Sequence, residues 1–518
     1  MFRCPTRLVL TAIFVIGAAT PVLAEEPPPI QIILDLHMDP LQAFPLQVRP
    51  QVYADWRDAA AWAVDQLEPR GARFTFLSVG EYMEYTLEDP ASWALIRRLV
   101  DGGSLGTHSH REKKYGPHDW RDLPANPPPA LVEEMWWDHV TAADQVITAA
   151  LGITEPNDIR ALNNIRGSHL PTSGEAMLAL MRQFGFSMWQ QGPCERFYAY
   201  FEHYAMNPYR PAGHNQLVHD PQGPVVLSPF GPVLGRDGPH AGIYQDMRLP
   251  AVQTRFVLEV LNWLDDRFVA RTGRVWVTGW GQHGSDIVPG QITREQLPIA
   301  LDWLKANFID QPVSGQQLAQ FSSARRSRDL YLAWEAAHPG QISFSYGPLF
   351  TSWAEYPYLM PVARYLVSGT YETARTIGPV RVHTIVAAPE IGGPFPIHVA
   401  YPLGPEPAVV DLTPLTGPGL LAAASPHSGL APPIPPQEVR VPPTGVILVP
   451  APRRLPLPNG DVNIDGFLNF DDINPFVGVL TGQNPDPRAR IAADINRDGV
   501  VNFADINPFV ALLSGPGR

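Results

Sequence analysis

Three potential metal ligands alternate along one short stretch of the chain, ILDLHMDP at positions 33–40. Asp35, His37 and Asp39 are separated from one another by single apolar residues. Residues two apart in a β-strand point to the same side, so the three side chains would share one face. Carboxylates and imidazoles bind divalent metal ions and move protons in hydrolytic sites. The stretch therefore predicts either the floor of a catalytic metal site or a polar edge of a sheet.

A second group of potential ligands follows a later β-like run, SLGTHSH. His108 and His110 lie at its carboxyl end, and Glu112 comes two positions later. Imidazole nitrogens and a carboxylate are suitable ligands for Zn²⁺ and related ions. We expect metal binding from these three residues together with His37, although the two histidines would also suit a solvated loop.

Two further residues follow predicted strands, Arg166 in NNIRG and His283 in VWVTGWGQH. Their charged or titratable side chains make both residues candidates for the site. Each also has a purely structural interpretation. Arg166 could form an ion pair with Glu175 or Asp158, and a lone histidine after a strand, such as His283, is common.

The elements that must position these residues alternate between β-like runs and amphipathic helical patterns, from about residue 30 to 321. PIQIILDLHMD, RFTFLSV and SLGTHSH are predicted strands, separated by helices in ADWRDAAAWAVDQL and PASWALIRRLV. This alternation predicts an α/β fold, an irregular barrel of parallel strands. Active sites of such barrels lie at the carboxyl ends of the strands. The residues at or just beyond such ends are Asp35, His37, Asp39, His108, His110, Arg166 and His283.

The whole chain divides into five predicted segments. Residues 1–24 form a signal peptide, because Arg3 and Arg7 precede an apolar run and PVLA offers a cleavage site. Residues 25–324 are the barrel and 325–451 are a helical, then β-rich, accessory region. Residues 452–459 are a Pro-rich linker, and 460–518 are a calcium-binding domain.

Composition narrows the classes of partner and compartment. The formal net charge is −13 and no basic patch occurs, which disfavours nucleic acid and anionic membranes as partners. Signal cleavage would remove Cys4 and leave Cys194 alone, so no internal disulfide is expected. We expect a secreted protein, extracellular, surface-associated or periplasmic, with no transmembrane anchor after cleavage.

The clearest motif is duplicated near the C-terminus. DVNIDGFLNFDD begins at 461 and DINRDGVVNFAD at 494, and both are followed by INPFV. Each places oxygen ligands at the positions of an EF-hand-like loop, with glycine at the sixth. Hard oxygen ligands predict two Ca²⁺ ions. The predicted ligands are Asp461, Asn463, Asp465, Phe467 (carbonyl), Asn469 and Asp472, then Asp494, Asn496, Asp498, Val500 (carbonyl), Asn502 and Asp505.

This α-helical repeat resembles a type I dockerin domain over roughly residue 460 to the C-terminus. The resemblance implies a cohesin-type protein partner. The positions that set partner choice in dockerins hold Phe470 and Asp471 in the first copy, and Phe503 and Ala504 in the second. A tail that calcium merely stabilises, with no cohesin, is the alternative.

The larger region resembles the polysaccharide deacetylases of carbohydrate esterase family 4, as a divergent member. GARFTFLSVGEYME, LIRRLVDGGSLGTHSH, IRGSHLPTSGEAMLALMRQFGF and VWVTGWGQHG occur in the order of that family. The resemblance implies removal of N- or O-acetyl groups from a polysaccharide, with one Asp and two His holding a divalent ion, commonly Zn²⁺. It aligns His108 with the first histidine ligand, and Asp35 with the first-strand aspartate. It also implies that Arg166 orients the base and that His283 is the acid.

The chain departs from the family pattern at the ligands. The second histidine should come four positions after His108, where Glu112 stands, and His110 is the nearest histidine. The paired aspartates of the first strand are replaced by Asp-x-His-x-Asp. This makes His37 a candidate ligand and either Asp35 or Asp39 the candidate base.

We therefore expect a secreted metal-dependent hydrolase that cleaves amide or ester bonds in an acetylated polysaccharide. Two alternatives stay open. DLHMD also resembles the Asp-x-His-x-His start of amidohydrolase-type barrels, which would hold two metal ions. A glycan-binding or matrix protein with a degraded esterase domain is the non-enzymatic alternative.

Overall fold

The structure is a computed structural model. It describes residues 26–100, 104–166, 174–190, 207–213, 218–228, 250–343, 370–387, 394–425 and 429–450. Towards the C-terminus it describes 460, 462–463, 468, 470–484, 487–495 and 500–514. The predicted signal peptide and linker lie outside these residues. Within the described segments, no helix is both long enough and apolar enough to cross a membrane.

An eight-stranded sheet, parallel at every pairing, dominates the first two thirds of the chain. The first strand, β1, pairs with β9 on one side, while β10 and β2 share its other side. The order then continues through β3, β6, β7 and β8. The strands are β1 Ile30–Met38, β2 Phe74–Ser78, β3 Ser104–Thr107, β6 Asn163–Arg166, β7 Met188–Gln190, β8 Val226–Ser228, β9 Val277–His283 and β10 Ala319–Ser322. A short hairpin, β4 Glu112–Gly116 with β5 Asp119–Asp122, leaves the sheet after β3.

Alternation along β1 separates two apolar cores. Leu34, Leu36 and Met38 pack into the large core that lies between the sheet and its helices. Ile33, on the other face, belongs to a second core with side chains from β2, β6, β7, β8 and β9. Strands far apart in the sheet order can share one core only if the sheet curls. The predicted α/β barrel is therefore confirmed as a curled parallel half-barrel.

Local sequence signals mark the ends of two helices that cover the sheet. Helix α1 stops at Leu67, and Gly71 then takes the left-handed conformation with φ of 75°. Asp89 caps the turn before α3, because its carboxylate accepts a hydrogen bond from the amide of Ala91. The helices are α1 Arg49–Leu67, α2 Gly80–Glu88, α3 Trp93–Val100, α4 Pro129–Leu151, α5 Pro156–Leu162, α6 Gly174–Gln183, α7 Pro250–Asp265 and α8 Ile292–Leu304.

A ninth helix, α9 Ala324–Ala337, packs into the inner core of the barrel. Ala324, Tyr331 and Trp334 contribute to that core. The amide of Ala324 donates to Oγ1 of Thr75 at 3.1 Å, which ties the start of the helix to β2. Strand β10 and the start of α9 therefore meet the amino-terminal halves of β1 and β2, away from the strand ends that carry the predicted site.

The described residues between 370 and 450 form a sheet-rich region that packs against the barrel. Six antiparallel strands lie in the order β11, β12, β13, β18, β15, β16, and β14 pairs with β17. His383 of β12 stacks on Phe308, just after α8, with ring centroids 5.4 Å apart and an interplanar angle of 3°. The elements are β11 Thr370–Ile377, β12 Val380–Val386, β13 Pro396–Pro402, β14 Ala408–Val410, α10 Thr413–Thr416, β15 Leu421–Ser425, β16 Gly429–Ile434, β17 Val439–Val441 and β18 Val446–Pro450.

The described part of the C-terminal tail contains three short helices, α11 Ile473–Leu480, α12 Pro487–Ala493 and α13 Ile506–Leu513. Phe476 of α11 and Phe509 of α13 stack with ring centroids 4.2 Å apart. These phenylalanines occupy equivalent positions in the two INPFV copies. The repeats therefore pack against each other through the same side chain.

Candidate metal centre

The candidate site lies where the carboxyl ends of β1, β3 and β9 meet. His37 of β1 is the register partner of His283 of β9. On the other side of β2, the amide of His108 donates to the carbonyl of Ser78 at 2.8 Å, which extends the pairing of β2 and β3 by one residue. Parallel strands deliver their ends to one edge, so side chains from remote parts of the sequence meet there.

Three predicted site residues form one cluster of suitable ligand atoms, Asp39, His108 and His110. Oδ1 of Asp39 lies 3.3 Å from Nε2 of His110 and 3.8 Å from Nε2 of His108. The two histidine Nε2 atoms are 3.0 Å apart. Ligand atoms bonded to tetrahedral Zn²⁺ at about 2.0–2.1 Å are about 3.3 Å from each other. The triangle fits one divalent transition ion.

His37 lies beside this cluster, and Asp35 lies deeper in the barrel. The His37 ring is 4.8 Å from the His108 ring and 5.7 Å from the His283 ring, measured between centroids. Asp35 lies two residues earlier on β1, level with Thr75 and fully buried. At about 3.3 Å per residue, its Cα is roughly 7 Å deeper in the barrel than that of His37. The structure thus groups Asp39, rather than His37, with the paired histidines.

His283 bridges the cluster and a carboxylate that the sequence reasoning did not identify. Its Nδ1 lies 2.9 Å from Oδ2 of Asp286, and its Nε2 lies 3.7 Å from Oδ2 of Asp39. The backbone amide of His283 also donates to Asp286, at 2.8 Å. Asp286 therefore holds the Nδ1 side of the ring with both its carboxylate and its backbone amide, and Nε2 faces Asp39. The sequence could have indicated Asp286, because it is an acidic residue three positions after a histidine at the end of a predicted strand.

The charge state of Asp39 reflects the histidines around it. Burial alone would raise the pKa of its carboxyl group, but His283, His110 and His37 outweigh burial and hold that pKa well below its usual range. Asp39 is therefore an anion, the form in which a carboxylate binds a metal ion.

Glu112, predicted as a ligand, is fully buried beside the cluster and is not among its three members. Its Oε2 accepts hydrogen bonds from the backbone amides of His110 at 3.1 Å and Arg111 at 2.9 Å. Burial raises the pKa of Glu112 to about 7, although His110 and these amide donors oppose the shift. The carboxylate holds the turn that carries His110.

Arg166 ends β6, and its backbone pairs with Thr107 of β3 and Trp189 of β7. The strand end is thus one strand away from His108. The side chain of Arg166 lies outside the described part of the structure, and its predicted role in orienting the base stays a prediction.

Six of the twelve predicted calcium ligands lie within the described residues, and six, Asp461, Asp465, Phe467, Asn469, Asn496 and Asp498, lie outside them. Asp472, the last position of the first loop, is buried, and its Oδ1 accepts from the amides of Val462 at 2.7 Å and Asn463 at 3.0 Å. Asp505, the equivalent residue of the second loop, is also buried and accepts from the amide of Asn502 at 2.9 Å. Asp494 and Val500 are the remaining described members. Calcium binding stays a prediction.

The chain matches no protein-family model and no curated protein sequence. Among solved structures, it is similar to one described as a polysaccharide deacetylase from Mycobacterium smegmatis, with 12% identity and a TM-score of 0.33 over 60% of this chain and 96% of the other. One described as a polysaccharide deacetylase from Pseudomonas aeruginosa PAO1 has 13% identity and a TM-score of 0.34, over 60% and 93%. A 4-alpha-glucanotransferase from Thermococcus litoralis has 12% identity and a TM-score of 0.34, over 59% and 40%. Similarity at this level assigns no activity.

Proposed function

We propose that this protein is a metal-dependent hydrolase that removes acetyl groups from a polysaccharide, with one divalent ion held by Asp39, His108 and His110. The observation that carries the proposal is the triangle of their ligand atoms, with edges of 3.0, 3.3 and 3.8 Å. Two imidazoles and one carboxylate form a ligand set that suits Zn²⁺ and leaves a position for water or substrate.

A divalent ion bound there would polarise the acyl carbonyl and lower the pKa of a bound water molecule. The chain must then move a proton. His283 is suited to this task because Asp286 holds the Nδ1 side of its ring and Nε2 faces Asp39. Nε2 takes the water proton as the acyl carbon is attacked, then gives it to the leaving nitrogen or oxygen when that bond breaks. The products are acetate and the deacetylated sugar.

The substrate class is supported by the order of sequence motifs that resemble polysaccharide deacetylases. A groove of about 730 Å³ between α4 and α6 would give a chain of sugars a surface to bind. It is lined by Lys113 of β4, next to Glu112, and by Trp137 of α4, which is 60% exposed. An exposed aromatic face packs well against the C–H groups of a sugar ring, and the acidic and amide side chains around it accept or donate hydrogen bonds to hydroxyls.

The test is acetate release by the full chain from an N-acetylated and an O-acetylated polysaccharide. We expect activity on one of them that chelation abolishes and that Zn²⁺ or Co²⁺ restores. His108→Ala removes one of three ligands and should reduce the rate by at least about 100-fold. Full activity after chelation and in H108A would refute the proposal.

A two-metal amidohydrolase-type site is the second candidate. The two oxygens of Asp39 face different histidines, Oδ1 towards His108 and His110 and Oδ2 towards His283. The His37 ring contacts the rings of both His108 and His283. Two tightly bound transition ions per chain, instead of one, would favour this candidate. A non-catalytic glycan-binding protein would bind glycan tightly with no transition ion.

For the tail, we propose two bound Ca²⁺ ions and attachment to a cohesin-type or other protein partner. Phe470 and Phe503 follow the ninth position of each loop and are 73% and 80% exposed. Large exposed apolar side chains at equivalent places of a repeat fit a protein-binding surface. With the predicted signal peptide, the tail would hold a secreted enzyme at a complex or surface. Pull-down of the partner should fail for a variant in which both phenylalanines are changed to Ser, with calcium binding intact.

A further inference from the structure

The turn between β3 and β4 carries two of the three proposed ligands within five residues. It runs from His108 to Glu112 and includes His110. A short turn positions two imidazoles for one ion only if its backbone is held from outside. Glu112 supplies one such restraint, since its Oε2 accepts from the amides of His110 and Arg111.

A second restraint comes from His139 of α4, which acts on the backbone of Glu112. Its Nδ1 accepts a hydrogen bond from the amide of Gly80 at 2.7 Å. An amide can only donate here, so Nδ1 is unprotonated and the proton is on Nε2. Nε2 then donates to the carbonyl of Glu112 at 2.8 Å, and it lies 3.4 Å from Oε1 of the same residue. The backbone and the side chain of Glu112 are both held.

Close packing leaves this arrangement little room to relax. Both Glu112 and His139 are fully buried. Trp120 of β5 packs on the His139 ring with centroids 5.0 Å apart. At Gly80, a Cβ atom would come within 2.3 Å of the Trp120 ring and 3.1 Å of Cα of His139. Helix α2, helix α4 and the hairpin therefore meet with no space for a larger residue at position 80.

We propose that Glu112 and His139 are positioning residues that hold His110 in place for metal binding, and that neither residue is itself a ligand. The inference rests on the metal site proposed above. Removal of a residue that orients a metal ligand through hydrogen bonds commonly lowers the metal affinity by about 10–100-fold. No local sequence pattern predicts this arrangement, because Gly80, Glu112 and His139 belong to three different elements.

The experiment measures Zn²⁺ affinity of the full chain by competition with a chromophoric chelator, and the absorption spectrum of the Co²⁺-loaded protein. The variants are Glu112→Gln, Glu112→Ala and His139→Gln, and Glu88→Gln is the matched control at an exposed position. Thermal unfolding shows whether each variant folds. If E112A does not fold, E112Q, which preserves the size of the side chain, provides the test.

For E112A and H139Q we expect Zn²⁺ affinity to fall about 10–100-fold, with a smaller loss in E112Q and none in E88Q. At saturating Co²⁺ the spectrum of each variant should equal that of the wild type, because the ligand set is unchanged. Wild-type affinity in E112Q and in H139Q would overturn the inference. A Co²⁺ spectrum that changes in E112Q would overturn it too, since Glu112 would then be a ligand. A wild-type protein that binds no transition ion would refute the proposed function and this inference together.

Discussion

His37 of β1 and His283 of β9 are partners in the parallel register, and their rings meet edge to face with centroids 5.7 Å apart. The two residues are 246 positions apart in the chain (283 − 37). Their meeting shows that the carboxyl ends of the two strands are level. Because Asp39 follows β1 directly, it enters the site from the same edge and faces both His283 and the paired histidines.

Asp286 should contribute to catalysis through His283 and not through metal binding. Asp286→Asn keeps the shape but removes the negative charge that stabilises a protonated His283 ring. We expect kcat to fall by about 10²-fold or more, with Zn²⁺ affinity unchanged. Glu295→Gln, the same carboxylate-to-amide change at an exposed position of α8, is the control and should keep its rate. An Asp286→Asn variant with normal kcat would remove His283 from the proposed proton transfer.

Gly279 of β9 should be intolerant of any side chain. It has φ of 141°, and a Cβ atom there would lie 1.8 Å from the carbonyl oxygen of Ile33. We expect Gly279→Ala to lower the free energy of unfolding by about 3 kcal/mol or more, by forcing β9 away from β1. At Gly404 a Cβ atom would meet no other atom within 4 Å, so Gly404→Ala should be nearly neutral. Chemical denaturation of both variants measures the difference. Equal stability of the two would contradict the pairing of β1 and β9.

Acid should weaken the packing of the sheet-rich region through two buried histidines. Burial lowers the pKa of His383 to about 3 and that of His398 to about 4, against about 6.5 in the unfolded chain. Nearby Arg381 adds to the effect at His383. Because the unfolded state binds more protons below pH 6.5, the stability is fully present above that pH and is lost as pH falls.

At pH 5.5 each of these histidines should cost up to about 1.4 kcal/mol of stability relative to neutral pH. Urea denaturation between pH 7.5 and 5 measures the slope. His383→Gln should reduce the slope, and His398→Gln should reduce it as well. A slope that His383→Gln does not alter would contradict the neutral, buried state of His383.

Each C-terminal loop should bind one Ca²⁺ ion independently of the barrel metal. Asp472→Ala and Asp505→Ala remove the last ligand of one loop each, and we expect calcium stoichiometry to fall from two to one in either variant. Asp471→Ala, the adjacent acidic residue, is the control and should bind two. Isothermal titration of the full chain with Ca²⁺ provides the count. Two ions bound in both loop variants would contradict the proposed ligands.

The sequence predicted which edge of the fold carries the candidate site, because strand ends can be recognised from apolar runs followed by polar residues. Asp35, His37, His108 and His283 all lie at or near that edge in the structure. Alternation gives the face of a strand but not the depth of each residue. It therefore left open which of Asp35, His37 and Asp39 would reach the paired histidines.

Other parts of the site depend on contacts that no local pattern carries. Glu112 stands where the family spacing places a histidine ligand, yet its carboxylate turns back to the amides of His110 and Arg111. His139 acts from 27 residues away (139 − 112) across the packing of α4 on the hairpin. Tertiary packing decides both arrangements, and a single sequence contains no periodicity that encodes them.

The central claim is that Asp39, His108 and His110 hold one transition metal ion. The most direct measurement is the zinc, cobalt and manganese content of the purified full chain, after exchange into buffer with excess Ca²⁺, compared with the double variant His108→Ala, His110→Ala. The account predicts about one equivalent in the wild type and close to none in the double variant. Equal metal content in the two proteins, or a wild type that takes up no transition ion when one is supplied, would contradict it.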